Sequence, residues 1–363
     1  MSIRAESVPS RFLIAVLTTF FCLFPRFSPA DVVPGDVISK KNMEKSRDFL
    51  HPGLAWCLEH GLVMEIVGSE HATYPPVYSE ATERYQAQVA ISADGLTLEN
   101  YVAGQPFVEL DPLDPMIAQK VMWNYYYNPY LTDDITIRYF DADTGPITSE
   151  GMRIERHFVL EHLRRLMYNG RVHVDPRPLF EGNEEGFRYR ESLHPVLEPF
   201  DLKGVGSSMA RYLDPSRQDD TWLYIPQIRR VRRLSSAQRS DALFGQDIDM
   251  DSYGGYSGNP AWFEWRLLGE RTILAAVHGK RWPAHWCEGE GDFVFCDTWE
   301  KRQVWVIEGR SKFPQYAYGK RVLFVDKEVF YTPSTDIYDR GMQLWKIWIN
   351  GINVGYRPFP EAK

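Results

Sequence analysis

From Ile135 to Ile349 the chain alternates short β-prone runs with connections too brief to hold a crossover helix, and this spacing constrains the fold more than any other feature. Ile135 to Phe140, Arg153 to Met167, Arg171 to Val174, Trp222 to Ile225 and Trp262 to Leu267 read as strands rich in aromatic and β-branched residues. So do Thr272 to Val277, Val304 to Ile307, Arg321 to Val325, Val329 to Tyr331 and Leu344 to Ile349. Asp141 to Gly145, Asp326-Lys327-Glu328 and Asp339-Arg340-Gly341 supply turns, and Asn169-Gly170 and Asn350-Gly351 are pairs that tight hairpins favour. Parallel neighbours need connections of roughly a dozen residues or more, so the pattern predicts antiparallel pairing and disfavours parallel α/β folds.

Helical signals are concentrated before residue 130. Ser39 to Phe49 has a helical stretch that His51-Pro52-Gly53 breaks, and Leu54 to His60 adds a turn or two before Gly61 stops it. Pro75-Pro76 starts a helix through Tyr78 to Tyr85, with Glu80 and Arg84 as an i,i+4 pair. Asp114-Pro115 opens a helix over Met116 to Tyr126, the carboxylate at the cap and proline at the first helical position. Leu62 to Val67 and Leu96 to Val102 read as strands. The expected organisation is a leader at 1–30, a helical region with a few strands at 31–130 and an antiparallel β region at 131–363.

The leader is read from its layout. Arg4 and Arg11 precede an apolar run from Phe12 to Phe24, and Ser28-Pro29-Ala30 is a small-x-small cleavage site. That is a secretory signal peptide, cleaved after Ala30, which places the mature chain in the periplasm as a soluble protein. The run is too short for the roughly 20 apolar residues of a spanning helix. Phe20-Phe21 before Cys22 does not fit a lipoprotein cleavage site. The leader carries three arginines and one glutamate, so its removal takes the formal charge from −8 to −10. An acidic exported chain is a poor reader of phosphate backbones, and no nucleic-acid partner is expected.

Cys57, Cys287 and Cys296 remain after cleavage. Cys287 and Cys296 bracket E-G-E-G-D-F-V-F, a loop short enough for a hairpin disulfide in an oxidising compartment. The disulfide is expected ahead of a metal site, because two thiols and His285 leave the fourth ligand unnamed. Cys57 is left as a buried thiol.

The stretch from Trp222 to Gly245 holds the densest charge. A strand through Trp222-Leu223-Tyr224-Ile225 meets Pro226, which places it at an edge or ends it. Arg229, Arg230, Arg232 and Arg233 follow, and alternation puts charge on both faces, so at least one arginine must meet an anion or reach water. They are candidate contacts for an anion or a partner. Asp241, Asp247 and Asp249 are the nearby carboxylates that can clamp them internally. Ser235 or Ser236 can cap a short helical turn ended by Gly245.

W-L-Y-I-P-Q-I-R-R-V-R-R-L followed by R-S-D-A-L-F-G-Q-D resembles the signature of LolA/LolB-like outer-membrane lipoprotein-sorting proteins. It resembles more closely an uncharacterised periplasmic branch of that superfamily, a domain of unknown function. Tyr78 to Val89, Met122-Trp123-Asn124-Tyr125, Asp201-Leu202-Lys203-Gly204 and Tyr338-Asp339-Arg340 extend the resemblance over nearly the whole mature chain. It implies an α+β fold, mainly antiparallel β, in which a curved, half-open, barrel-like sheet wraps an apolar cavity, helices cover its mouth, and the two regions pack as one domain. It also implies a periplasmic carrier or chaperone for a lipid, an acylated protein or another hydrophobic molecule, with an envelope transporter or outer-membrane protein as a further partner. An aromatic content of 14% fits either a β-rich core or such a cavity. Trp123, Trp222, Tyr224, Trp262 and Trp265 are the candidate cavity residues by aromatic character and strand placement.

Other motifs read as structure. Gly206-Ser207-Ser208-Met209-Ala210 approaches a nucleophile elbow but has alanine for the last glycine, and reads as a flexible turn. Asp247, Asp249 and Asp251 imitate a calcium loop, with Ser252 and Gly258 where glycine and glutamate belong, and read as a solvated acidic loop or a partner for the arginines. Glu155, His157 and Glu161 share a strand face and read as cross-strand pairs. No catalytic constellation, metal or cofactor is expected. Two rival classes stand beside the carrier: an envelope scaffold that docks a transporter through Arg229 to Arg233 without cargo, and a hydrolase of lipophilic esters.

Overall fold

Strand propensity is realised, among the described residues, as two seven-stranded sheets and two short two-stranded ladders, residues 90–91 with 98–99 and 147–148 with 151–152; the large sheets hold the numbered strands below. The structure is a computed structural model that describes residues 31–129, 133–235, 239–281 and 284–351; the expected leader with its cleavage site after Ala30, and the cap at Ser236, lie outside these. In chain order the strands are β1 Val37–Ile38, β2 Met64–Ile66, β3 Asp134–Thr144, β4 Arg156–Met167, β5 Phe187–Leu193, β6 Val196–Glu198 and β7 Gly206–Tyr212. They continue as β8 Asp220–Ile225, β9 Arg230–Leu234, β10 Phe263–Ala275, β11 Thr298–Ser311, β12 Lys320–Asp326, β13 Ser334–Tyr338 and β14 Leu344–Ile349. The first sheet runs β1-β2-β11-β12-β13-β14 with β10 also on β11; the second runs β6-β4-β5-β7-β8-β9 with β3 also on β4. Only β2 against β11 is parallel among these ladders. The fold is mainly antiparallel β with a few helices, and neither sheet closes into a barrel among the described strands.

Trp262 to Leu267 and Thr272 to Val277, expected as two strands, belong to one long β10. The register shifts between Leu267 and Gly269, and Gly269 takes φ +142, so a bulge absorbs the residue that looked like a break. Gly206 to Ala210, expected as a turn, is the central strand β7, paired with β5 on one side and β8 on the other. Pairing on both edges outweighs the turn preference of glycine and serine. Arg171 to Val174 is not a strand. Asp133 accepts the amides of Val172, His173 and Val174 at 2.9, 2.6 and 2.9 Å, which removes three successive donors from any ladder. Val329 to Tyr331 is likewise a turn, with the amides of Glu328 and Val329 held by Asp326.

The helices are α1 Pro52–Glu59, α2 Pro76–Tyr85 and α3 Ile117–Tyr126. Asp114 Oδ1 accepts the Met116 amide at 2.8 Å, but α3 starts later than expected: Met116 is its N-cap, without a side-chain cap, and Asp114-Pro115 lies in the turn before it. Ile117 and Val121, one turn apart, and Met122 pack in the first sheet's core with Trp305, Ile307 and Leu323. Burial of each such side chain contributes about 1.5–3 kcal/mol. Its C-terminal end is closed by Arg188 of β5, which donates from Nη2 to Tyr126 O at 2.5 Å and stacks on Tyr126 and Tyr127 at 3.7 and 4.4 Å. A cation there also meets the negative end of the helix dipole. The tyrosine run 125–127 is thus a packed helix end. Cys287 and Cys296 are joined, with Cα atoms 4.8 Å apart. Cys57 is buried and free, its thiol pushed up to about 12 by burial first and by the Asp336 charge second.

A chain of buried charges links the two sheets. Arg211 on β7 pairs with Asp219 at 2.5 Å; Asp219 accepts from Arg239 at 3.0 Å; Arg239 donates to Asp251 at 2.7 Å. Tyr316 donates to Asp251 at 3.0 Å and accepts from Arg321 of β12 at 2.7 Å. Trp262 lies under Arg239 and Arg211, 4.0 and 5.4 Å from its ring. The loop expected to be solvated therefore buries Asp249 and Asp251 completely. They meet Arg239 and the Tyr316 and Tyr318 hydroxyls, not the Arg229–Arg233 run.

Candidate functional site

The five candidate aromatics fall in three places. Trp262 and Trp265 sit in the first sheet's core, their indole N–H groups donating to Pro215 O and Pro260 O at 2.8 and 2.7 Å. Trp123 is buried on α3 against Tyr126 and Tyr127. Trp222 and Tyr224 share the opposite sheet, on one face of β8 with Arg233 and Val231 across from them on β9. They do not converge, and none lines the three described cavities of about 600, 400 and 30 Å³.

What the second sheet does bring together is a row across its other face. The registers align Ile137 with Leu163, Leu163 with Leu193, Leu193 with Ser207, Ser207 with Leu223, and Leu223 with Arg232. Alternation puts all six on one side of the sheet. None is fully buried: Ile137 is 41% exposed, Arg232 is exposed, and the four between them are half-buried. Within the row Leu193 and Leu223 also pack against the small core of Phe158, Leu160, Val196 and Val205. On the neighbouring row Arg165 and Glu191 pair at 2.6 Å. Burial works against the Arg165 charge there, and Glu191 more than offsets it. The row is therefore a largely apolar strip, broken by Ser207, bounded by a neutralised pair on one side and ending at Arg232, which has no ion-pair partner among the described residues. No composition signal could have found it, because its six members come from six strands and align only once the registers are known.

Arg230, Arg232 and Arg233 lie on edge strand β9, exposed along its whole length, and Arg229 ends the turn that leads into it. Arg233 pairs with Asp220, while Arg229, Arg230 and Arg232 make no ion pair among the described residues. The internal clamp to Asp241, Asp247 and Asp249 is absent for a simple reason. Asp249 is turned into the core, and β9 takes its cross-strand neighbours from β8. His157 pairs across the ladder with Asp143 at 2.7 Å, and that hydrogen bond raises its pKa.

The first sheet holds a constellation that sequence reading missed. His51 Nδ1 lies 2.9 Å from Asp336 Oδ1, and Ser334 Oγ lies 2.8 Å from His51 Nε2. The distances are those of a nucleophile, base and orienting acid. Access is not: the side chains of His51 and Asp336 are wholly buried, Ser334 is 4% exposed, and none lines a described cavity. Gly53 N donates to Asp336 Oδ2 at 3.2 Å, and a Cβ on Gly53 would sit 2.2 Å from Asp336 Oδ1. The trio clips the start of α1 onto β13. A fluorophosphonate probe is accordingly expected to leave Ser334 unlabelled on the native protein, read by peptide mapping; stoichiometric labelling there would revive the hydrolase class. The only advance signal was His51-Pro52-Gly53, which reads as a helix breaker.

Comparison with known proteins supplies a family and three partial likenesses. The family model described as "Protein of unknown function (DUF1329)" matches residues 37–360. No curated protein matches. A crystal structure of a DUF1329 family protein from Desulfovibrio piger is similar at TM-score 0.40 and 15% identity, covering 60% of this chain and 71% of that one. A putative outer membrane lipoprotein-sorting protein domain from Vibrio parahaemolyticus is similar at TM-score 0.38 and 18% identity, covering 59% and 68%. A LolA superfamily protein from Nitrosomonas europaea is similar at TM-score 0.35 and 14% identity, covering 63% and 75%. Since the family match spans nearly all of the chain after its first residues, the chain belongs to the DUF1329 family.

Proposed function

We propose that this chain is a periplasmic carrier or chaperone that lays an acyl-bearing or otherwise hydrophobic ligand across its second sheet. The row from Ile137 to Leu223 carries this reading: four aligned apolar side chains interrupted once by Ser207, none fully buried, leading to Arg232, which makes no ion pair among the described residues. It crosses five strands, so it runs about 19 Å at roughly 4.8 Å per strand, the scale of an extended long acyl chain. Each methylene moved out of water contributes about 0.8 kcal/mol, and the Arg232 guanidinium suits a carboxylate or phosphate head. Trp222 and Tyr224, on the far face, are outside this path and suit a partner contact instead. Release then requires a partner that binds the cargo better.

No helix among the described residues is long and apolar enough to cross a membrane. The leader reading supports export, and a binding role asks for no catalytic group. Native mass spectrometry of protein released from its own periplasm is expected to find a bound acyl compound. Repeated recovery of bare protein that also takes up no fatty acid or phospholipid would remove the reading.

A further inference from the structure

Two turns meet at one end of the second sheet, and together they hold apolar side chains in solvent beside unpaired cations. The 3-10 turn Phe200–Leu202, between β6 and β7, packs Leu202 against the small core and leaves Phe200 88% exposed. The turn Pro226–Ile228, between β8 and β9, leaves Ile228 46% exposed and ends on Arg229 at φ +50. They are held together by Gln227 Nε2 donating to Asp201 O at 3.0 Å and by Pro226 lying against Gly204, where a Cβ would come within 3.3 Å of its ring. Val231 and Tyr224, 62% and 42% exposed, continue the patch along the β8–β9 edge.

The charges beside it are one-sided. Lys203, Arg229, Arg230 and Arg232 are exposed and make no ion pair among the described residues. Of the acids on the same turns and flanks, Asp201 is held by Arg156 at 2.8 Å, leaving Glu198. The whole chain carries a formal charge of −8, so its overall field repels an anionic surface and this end is where complementarity exists. Convex turn tips that carry phenylalanine and isoleucine, ringed by long cationic stems, suit a soft interface in which apolar tips sink and cations snorkel to phosphates.

We propose that this end docks the protein on an anionic phospholipid bilayer, Phe200 and Ile228 entering the headgroup layer while Lys203, Arg229, Arg230 and Arg232 bind lipid phosphates. Docking needs no cargo, so it stands apart from the carrier reading, with Arg232, where the two surfaces adjoin, the one residue common to both.

Vesicle flotation of the mature protein at low salt tests it. Binding is expected to vesicles of equal parts phosphatidylcholine and phosphatidylglycerol and to be absent with phosphatidylcholine alone. Arg229→Gln and Arg230→Gln should each lower the partition by about fivefold, the effect of one basic residue near such a surface. Phe200→Ser should lower it by about tenfold or more. All three side chains are exposed, so the variants should fold, as circular dichroism will check; if one does not, the others still read the surface. Equal flotation on both vesicle types, or flotation unchanged in all three variants, overturns the proposal. Leu163→Asp, which blocks the cargo row, should float like the unaltered protein; its loss of flotation would mean that the lipid was held as cargo, and would overturn docking too.

Discussion

Replacing Asp219 with asparagine is expected to lower the unfolding free energy by about 3–5 kcal/mol, the usual cost of removing one partner from a buried ion pair. Asp219 is shared by Arg211 and Arg239, and all three side chains are at most 5% exposed. Without that carboxylate, Arg211 keeps only backbone and ring contacts, while Arg239 keeps Asp251. The pH dependence follows from the same geometry. Burial pushes the Asp219 carboxyl up, and Arg211 with Arg239 pulls it further down, so its pKa lies below the ordinary aspartate value. A depressed folded pKa means the stabilisation is present above the unfolded value, about 3.9, and is lost as the pH falls through the lower folded one. Urea melts should therefore show a large deficit for Asp219→Asn near neutrality that narrows below about pH 4. A deficit under about 1 kcal/mol at neutral pH would show that the Asp219 pairs do not hold the two sheets together.

The second large effect is on binding. Leu163→Asp or Leu193→Asp is expected to reduce affinity for a long-chain fatty acid by about a hundredfold or more, because an acyl chain would bury an unpaired carboxylate at a cost of several kcal/mol. Leu163 is half-buried and outside the small core, so the empty Leu163→Asp protein can keep the new charge in water and should remain folded, whereas Leu193→Asp also removes a contact to that core and should lose some stability. Arg232→Gln should weaken the same ligand by roughly tenfold through the loss of a charge-assisted hydrogen bond. Trp265→Leu acts as the contrast. It removes a ring packed against Phe263 and Tyr256 in the first sheet, and should cost stability while leaving affinity alone. Isothermal titration with each variant separates these outcomes. Equal affinity in Leu163→Asp and the unaltered protein would place the ligand elsewhere.

How much of this was readable in advance follows from the range of each interaction. Features set by neighbours in the chain were legible: α3 begins after Asp114-Pro115, and the Cys287–Cys296 loop closes on itself. β7 was not, since Gly206-Ser207-Ser208 has the local preference of a turn and becomes a strand only because β5 and β8 flank it. The arginine run was recognised as unusual, yet its partners were misplaced. Asp249 lies nearer in sequence than the distant Tyr318, but the loop folds inward and Tyr318 wins. Residues chosen for being aromatic mostly filled the core, where large rings bury the most area. The candidate site is instead made of three ordinary leucines, one isoleucine, Ser207 and Arg232, whose meaning lies in register, and register over six strands cannot be counted along one chain.

We expect the Ile137–Leu163–Leu193–Leu223 row to receive an acyl chain. Photolabelling tests it most directly: a fatty acid with a diazirine near its middle is bound, irradiated, and the adducts are located by peptide mass spectrometry. Adducts are expected on β4, β5 and β8, centred on Leu163, Leu193 and Leu223, and competed away by unlabelled fatty acid. Competable adducts confined to the first sheet, for instance beside Trp305 and Phe330 in the cavity of about 400 Å³, would contradict it.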